Sequence, residues 1–273
     1  MNVKTKDIIE RDAVPSYRQN TPVQVSIIKL NKSFGGSSVL KDLDLEVKSG
    51  ETLVVIGKSG EGKSVLLRHI IGLEKPDSGE ILINGIDVYD PEIRNKYRFA
   101  MVFQSSALFN SLTVGENVSL YLREHRVFRN ENAMSRIVSN TLSIVGLEGK
   151  ENVIPSELSG GMKKRVAIAR ALAMNPDLIL FDEPTSELDP ITAQTIDDVM
   201  LELRKHLQVT QIIVTHDIDL ALYIADRIAV LDEGRIVEID TPKEIAKSTN
   251  QLVREFIIRS SKEEEVREYE NRG

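Results

Sequence analysis

Leu53-Val54-Val55-Ile56-Gly57-Lys58-Ser59-Gly60-Glu61-Gly62-Lys63-Ser64 (residues 53–64) is the stretch whose reading decides the fold. Its four opening apolar residues read as a strand buried on both faces. A glycine-rich turn follows, and then a helix over Ser64 to Ile71. Gly57 to Ser64 fits G-x-x-x-x-G-K-[ST] in the strand–turn–helix setting that gives the pattern its meaning. Glycines let successive backbone N–H groups curl around phosphate oxygens, and the helix N-terminus adds a favourable dipole. Lys63 is then placed to reach the β- and γ-phosphates, and the Ser64 hydroxyl to ligate Mg²⁺.

Working outward, alternation from Val25 to Val47 predicts antiparallel strands broken at Gly35-Gly36. Residues 80–88 read as a strand and turn, and Phe99 to Gln104 as a further buried strand. Residues 105–156 change character and read as mainly helical, with Leu120, Leu122, Ile137, Leu142 and Val145 on apolar faces. Strands and helices then alternate: a helix to about Met174, strand Leu178–Phe181, helix Ala193–His206, strand Gln211–Thr215 and a helix from Asp217. Residues 227–240 form a predicted hairpin turning at Glu233-Gly234. The result is an α/β core with a helical insertion. The expected organisation is a mobile arm over 1–22, one domain over 23–256 with its helical part at about 105–156, and a charged tail over 257–273.

Bulk properties narrow the function classes. The chain has 273 residues, a net charge of −7 and no cysteine, so disulfides and thiolate metal sites are excluded. An acidic balance argues against nucleic acid as the main partner, because such domains usually carry a basic surface. The longest apolar run, Leu220 to Ala225, is six residues, far short of the ~20 needed to span a bilayer. The first twenty residues mix acids and bases without an apolar core, so a secretory signal is not expected.

Leu178 to Glu183 places two carboxylates at the C-terminal end of a buried strand, where open α/β sheets bind ligands. Asp182 would hold Mg²⁺ directly or through water. Glu183, one residue on, points elsewhere and can polarise an attacking water.

Leu158-Ser159-Gly160-Gly161-Met162, 21 residues before Asp182 counting from Gly161, resembles the ABC signature, whose usual fifth residue is Gln. Ser159 suits an N-cap, leaving backbone donors for an anion. The remaining motifs of the ABC ATPases arrive in the family's order. Phe34 matches the aromatic that stacks on adenine, and Gln104 the Q-loop glutamine that senses Mg²⁺ and γ-phosphate. Ser186-Glu187-Leu188-Asp189 resembles the D-loop, with Glu187 where Ala is common, and His216 matches the switch histidine. The resemblance implies an ABC-type P-loop NTPase with a RecA-like core, an antiparallel β subdomain and a helical subdomain. It implies an ATPase using ATP and Mg²⁺, with Gly57, Lys58, Ser59, Gly60, Glu61, Gly62, Lys63, Ser64 and Val65 on the nucleotide. Lys63, Gln104, Glu183 and His216 would be catalytic, and Ser64, Gln104 and Asp182 would hold the metal. Ser159, Gly160 and Gly161 would act on the nucleotide of a second copy, so the resemblance implies a homodimer, and Asp189 is the D-loop residue.

Within the family, residues 57–73, 104–125 and 157–192 look like the ATPase of MCE/Mla-type phospholipid transport systems. Met162, the triplet Ala107-Leu108-Phe109 and Leu122-Arg123-Glu124-His125 carry that likeness. It implies a peripheral subunit on the cytoplasmic face of the inner membrane, with a separate permease, an MCE-domain lipid-binding protein and a STAS-domain protein. Ala107, Leu108 and Phe109 would wall an apolar groove for a permease helix, or else pack into the core of the insertion. An importer motor for polar amino acids or another small solute would share every catalytic residue. A soluble, non-transport ABC ATPase of iron–sulfur assembly is the reading from another class.

Overall fold

Hydrophobic alternation along the first two strands is realised as an antiparallel pair: Val25, Ile27, Leu40, Leu43, Leu45 and Val47 are all buried. In the computed structural model, residues 21–128, 130–207 and 209–257 are described. The expected arm and tail therefore lie outside the described residues except for Thr21, Pro22 and Ile257. In chain order the strands are β1 (Val25–Phe34), β2 (Ser37–Val47), β3 (Thr52–Ile56), β4 (Ser78–Ile83), β5 (Ile86–Asp87), β6 (Phe99–Val102), β7 (Leu178–Asp182), β8 (Thr210–Thr215), β9 (Arg227–Asp232) and β10 (Arg235–Asp240). The helices are α1 (Lys63–Ile70), α2 (Ile93–Lys96), α3 (Val114–Glu124), α4 (Glu131–Ile144), α5 (Gly160–Ala173), α6 (Pro190–His206), α7 (Ile218–Ile224) and α8 (Pro242–Ile245).

The chain divides into two compact units. Among the described residues, one comprises 24–89 with 212–257; the other comprises 90–211 with 21–23. In the first unit, an antiparallel sheet runs in the order β2-β1-β4-β5. Register shifts between Ile27 and Ser33 interrupt the β1–β2 ladder, and Lys29 on β1 and Asp42 on β2 take left-handed φ. β3 pairs in parallel with β9, Leu53 opposite Arg227 and Ile56 opposite Val230, and β9 returns through the predicted hairpin to β10. All five residues of β3 are buried, as an uninterrupted apolar run requires.

In the second unit, β6 pairs in parallel with β7, from Phe99 opposite Leu178 to Val102 opposite Phe181. Asp177, fully buried, fixes the entry to this pair by accepting from the backbone N–H of Arg98 at 2.9 Å and of Thr21 at 2.7 Å. The sequence reads Phe99–Gln104 as strand, but β6 stops at Val102. Beyond it the chain turns, with Ser106 and Ala107 both in left-handed φ, so two successive residues leave the extended backbone. Helices α3 and α4 pack on α5. A capping box starts α3: Thr113 Oγ1 accepts from Glu116 N at 3.2 Å, and Glu116 Oε2 accepts from Thr113 N at 2.8 Å. Asp189 caps α6 with Pro190 in its first turn, so that helix begins three residues before the expected Ala193.

Candidate functional site

In the first unit, the turn between β3 and α1 is shaped by its glycines. Gly62 has φ 99° and is the N-cap of α1, and a Cβ there would meet Val39 Cγ1 at 2.9 Å. A glycine N-cap offers no side-chain acceptor, so no side chain caps this helix end. Lys63 is 6% exposed, and its Nζ donates to the Gly57 carbonyl at 2.8 Å and the Lys58 carbonyl at 3.1 Å. A buried ammonium held by its own loop, beside a helix N-terminus without a side-chain cap, is the donor set that a polyphosphate needs. Glu61 closes the turn by accepting from Lys58 N at 3.2 Å, and burial, with the Asp232 charge nearby, pushes its carboxyl up.

Phe34 ends β1 with 45% of its surface exposed, so it is not a core phenylalanine. Lys32 Nζ lies 4.9 Å from the centre of its ring. That ammonium is anchored by Glu74 Oε1 at 2.7 Å, by the Lys75 carbonyl at 2.8 Å and by Asp77 at 3.7 Å. Asp77 also accepts from Ser33 N at 2.7 Å, fixing the strand end that carries the ring. His216, exposed, follows the last residue of β8 and precedes Asp217, which caps α7.

In the second unit, Asp182 closes β7 and Glu183 follows it; they are 6% and 8% exposed. Glu183 has φ 47°, a left-handed backbone that costs a non-glycine residue about 1–2 kcal/mol. Its carbonyl accepts from Ser186 Oγ at 2.8 Å and from Lys164 Nζ at 3.1 Å. Lys164, on α5, also donates to the Gln104 carbonyl. The backbone of Gln104, the backbone of Glu183 and the hydroxyl of Ser186 thus meet around one ammonium.

Ser159 caps α5 by accepting from Met162 N at 3.3 Å. Gly161 is buried, and a Cβ there would lie 2.1 Å from Thr192 Cγ2 on α6. Thr192 is pinned by Asp189, whose Oδ1 accepts from its N–H at 3.0 Å and Oδ2 from its hydroxyl at 2.6 Å. The same bonds hold the Asp189 carboxyl below its ordinary range. Asp189 therefore sets the helix that Gly161 packs against.

A cavity of about 470 Å³ in this unit is lined by Met101, Phe103, Ala107, Phe109, Tyr121 and Met174 among others. Phe109 is 52% exposed and Ala107 is exposed, so neither is core packing. Leu108, half-buried, is not among the lining residues, and only two of the expected triplet form this wall. Asn117 holds the wall from α3: its Oδ1 accepts from Phe109 N at 2.9 Å, and its Nδ2 donates to the carbonyls of Phe109, Leu112 and Thr113. Arg170 donates to the carbonyls of Ala107 at 2.7 Å and Ser106 at 3.0 Å.

Lys32, Asn117, Lys164 and Arg170 were not legible as functional from motifs. Lys164 had one signal: it lies at helical spacing between Gly161 and Ile168, on the stripe that α5 buries.

The family described as ABC transporter matches residues 40–186. A probable ribonucleotide transport ATP-binding protein of Mycobacterium leprae is 36% identical over 239 residues, covering 86% of this chain and 69% of the relative. Its counterparts in Mycobacterium tuberculosis are spanned to 66%, so the chain covers about two thirds of the mycobacterial relatives. The L-cystine import ATP-binding protein of Bacillus subtilis is 42% identical over 246 residues, 88% of this chain and 94% of that one. The chloroplast protein trigalactosyldiacylglycerol 3 of Arabidopsis thaliana is 41% identical over 245 residues, 82% of this chain and 70% of that one. Among solved structures, a dimeric ATP-binding cassette in a post-hydrolysis state, bound to ADP and Pi, superposes with a TM-score of 0.70 at 34% identity, over 80% of this chain and 98% of that one.

Proposed function

The chain belongs to the ABC transporter family, and from that membership we propose that it is the motor of a phospholipid transporter, two copies working against a separate membrane permease. It is an ATPase of the P-loop ABC fold that uses ATP with Mg²⁺. In the proposed site, Gly57 to Val65 cradle the phosphates, with Lys63 as the cation, and Phe34 stacks on adenine. Ser64, Gln104 and Asp182 would hold Mg²⁺, which when bound neutralises phosphate charge. That set suits Mg²⁺, which is usually held by one or two carboxylates plus substrate phosphates. Among the described residues no cluster of three or more His, Asp or Glu offers the alternative of an all-protein cage.

Glu183 orients the attacking water and accepts its proton, and His216 contacts the γ-phosphate. Ser159, Gly160 and Gly161 close on the nucleotide of the other copy, with Asp189 setting α6 behind them. The dimeric cassette bound to ADP and Pi supports the pairing. ATP favours the closed pair, hydrolysis removes that preference, and the difference is what a coupled permease can use.

The observation that carries the transport reading is the cavity walled by Ala107 and Phe109, an apolar recess suited to a permease helix. No described helix is long and apolar enough to cross a membrane. We place the chain on the cytoplasmic face, with MCE-domain and STAS-domain proteins as further partners. The relative named for trigalactosyldiacylglycerol, a diacylglycerol glycolipid, supports a lipid cargo. The cystine-import relative, matched over 94% of its length, supports the second reading, an importer of polar amino acids.

Two measurements test this. Glu183→Gln is expected to bind ATP and hydrolyse almost none of it; turnover near the parent rate sinks the assignment of the base. For cargo, the complex purified with its permease is reconstituted in vesicles carrying fluorescent phospholipid, and ATP-dependent lipid movement is measured beside cystine uptake. Cystine uptake without lipid movement decides for the importer.

A further inference from the structure

Lys164 is five residues beyond Ser159 on α5, and its side chain is 6% exposed. An ammonium has three donors. Here they meet three acceptors: the Gln104 carbonyl at 2.5 Å, the Glu183 carbonyl at 3.1 Å and Ser186 Oγ at 3.4 Å. Each acceptor belongs to a different motif, and the lysine lies on the helix that begins in a fourth. Burial works against this charge and lowers the lysine's pKa, while the charges of Glu187, Asp182 and Glu183 oppose that effect. A methionine of similar volume would fill the space without the desolvation cost. Packing alone therefore does not account for a lysine at this position.

The contact with Glu183 has a specific consequence. Its left-handed backbone is unfavourable for a glutamate unless the surroundings hold it. Lys164 and Ser186 both bind its carbonyl, and together they restrain the backbone that carries the Glu183 side chain. At its other end, Lys164 is carried by the helix whose N-terminus bears Ser159, Gly160 and Gly161.

We propose that Lys164 is a positioning residue that ties α5 to the backbone of Gln104 and Glu183 and to Ser186, so that seating the α5 N-terminus on one nucleotide sets the aim of the Glu183 carboxylate toward the other. The inference rests on the reading of Glu183 as the base and of Ser159–Gly161 as acting on the second copy's nucleotide. It makes the two sites of the pair thermodynamically linked through one side chain in each copy.

The test is steady-state ATP hydrolysis by the full chain, with Lys164→Met, Lys164→Arg and Glu183→Gln measured beside the parent, and Tm recorded for each. Lys164→Met is expected to lose roughly 10- to 100-fold in kcat, the scale of a misplaced catalytic group. Its KM for ATP should stay near the parent value, and its Hill coefficient should fall toward one. Lys164→Arg, which keeps the charge and several donors, should recover part of both. A folded Lys164→Met with parental kcat and Hill coefficient overturns the proposal; if Glu183→Gln is inactive in the same series, the reading of the base stands. Parental turnover by Glu183→Gln overturns that reading instead. Should Lys164→Met fail to fold, Ser186→Ala decides, because it removes one acceptor and keeps the lysine. A lower kcat at unchanged KM supports the proposal, and parental kinetics overturn it.

Discussion

Single side chains show how the surroundings set the role of a titratable group. Lys32 is clamped by Glu74, Asp77 and the Lys75 carbonyl, with its charge over one face of the Phe34 ring. If that ring receives adenine, Lys32→Met should raise the KM for ATP by roughly threefold and leave kcat unchanged, since only the support of the ring is lost. An unchanged KM would count against the stacking role. His69 is fully buried on α1, and its Nδ1 donates to the Val65 carbonyl at 2.7 Å. Burial, helped by the Lys32 charge, lowers its pKa below the ordinary value of about 6.5. Between that value and the lowered one, the unfolded chain binds a proton that the folded chain refuses. The contribution is thus complete above about 6.5 and is lost as pH falls through the window. Tm should drop between neutral pH and pH ~5, and His69→Leu should show a shallower drop. Neither lysine nor histidine could be read in this way from sequence, because burial of a polar side chain depends on neighbours from distant segments.

At the scale of elements, the features set by local chemistry were the legible ones. The apolar run of β3 and the glycine turn appear close to their expected bounds, and α3 and α4 fall within residues 105–156, which read as mainly helical. What escaped was the end of β6, because Phe103 and Gln104 continue the apolar-to-polar pattern while the backbone turns away after Val102. Asn117 shows why such a loop holds its form. It is fully buried, and it satisfies a donor and three acceptors of the segment that bears Phe109. Asn117→Ala should destabilise the fold by about 1–3 kcal/mol, read by denaturant unfolding. It should also weaken permease association while ATP affinity stays unchanged. Gly161 makes the parallel case for two helices: Gly161→Ala would drive a methyl into Thr192 on α6. Its expected result is lost hydrolysis with retained ATP binding, measured by turnover and by equilibrium binding.

For the whole molecule, the proposed pairing makes stability depend on concentration. Ligand that binds only the folded state adds about 2.7 kcal/mol at one hundred times its Kd. A Glu183→Gln chain with ATP and Mg²⁺ should therefore show a Tm that rises with both nucleotide and protein concentration. Without nucleotide, Tm should be independent of protein concentration. A Tm that responds to ATP but never to protein concentration would argue for a monomer that binds nucleotide alone. Phe109→Asp, at an exposed wall of the cavity, should leave both Tm and basal hydrolysis near parental values and abolish association with the permease.

The sequence by itself determined the phosphate loop, the carboxylate pair at the end of β7, the cap of α5 and the alternation that builds β1 and β2. Each of these is a matter of residues close in the chain, whose hydrogen bonds and steric limits are local. Only the tertiary structure decided that Phe34 and Phe109 are exposed, that Leu108 stands outside the cavity wall, and that Lys164 is buried among Gln104, Glu183 and Ser186. Those outcomes depend on which carbonyls and side chains, 19 to 60 positions away for Lys164, come within about 3 Å. A motif can specify the loop that meets a phosphate, but the partner of a buried charge is set by packing across the chain.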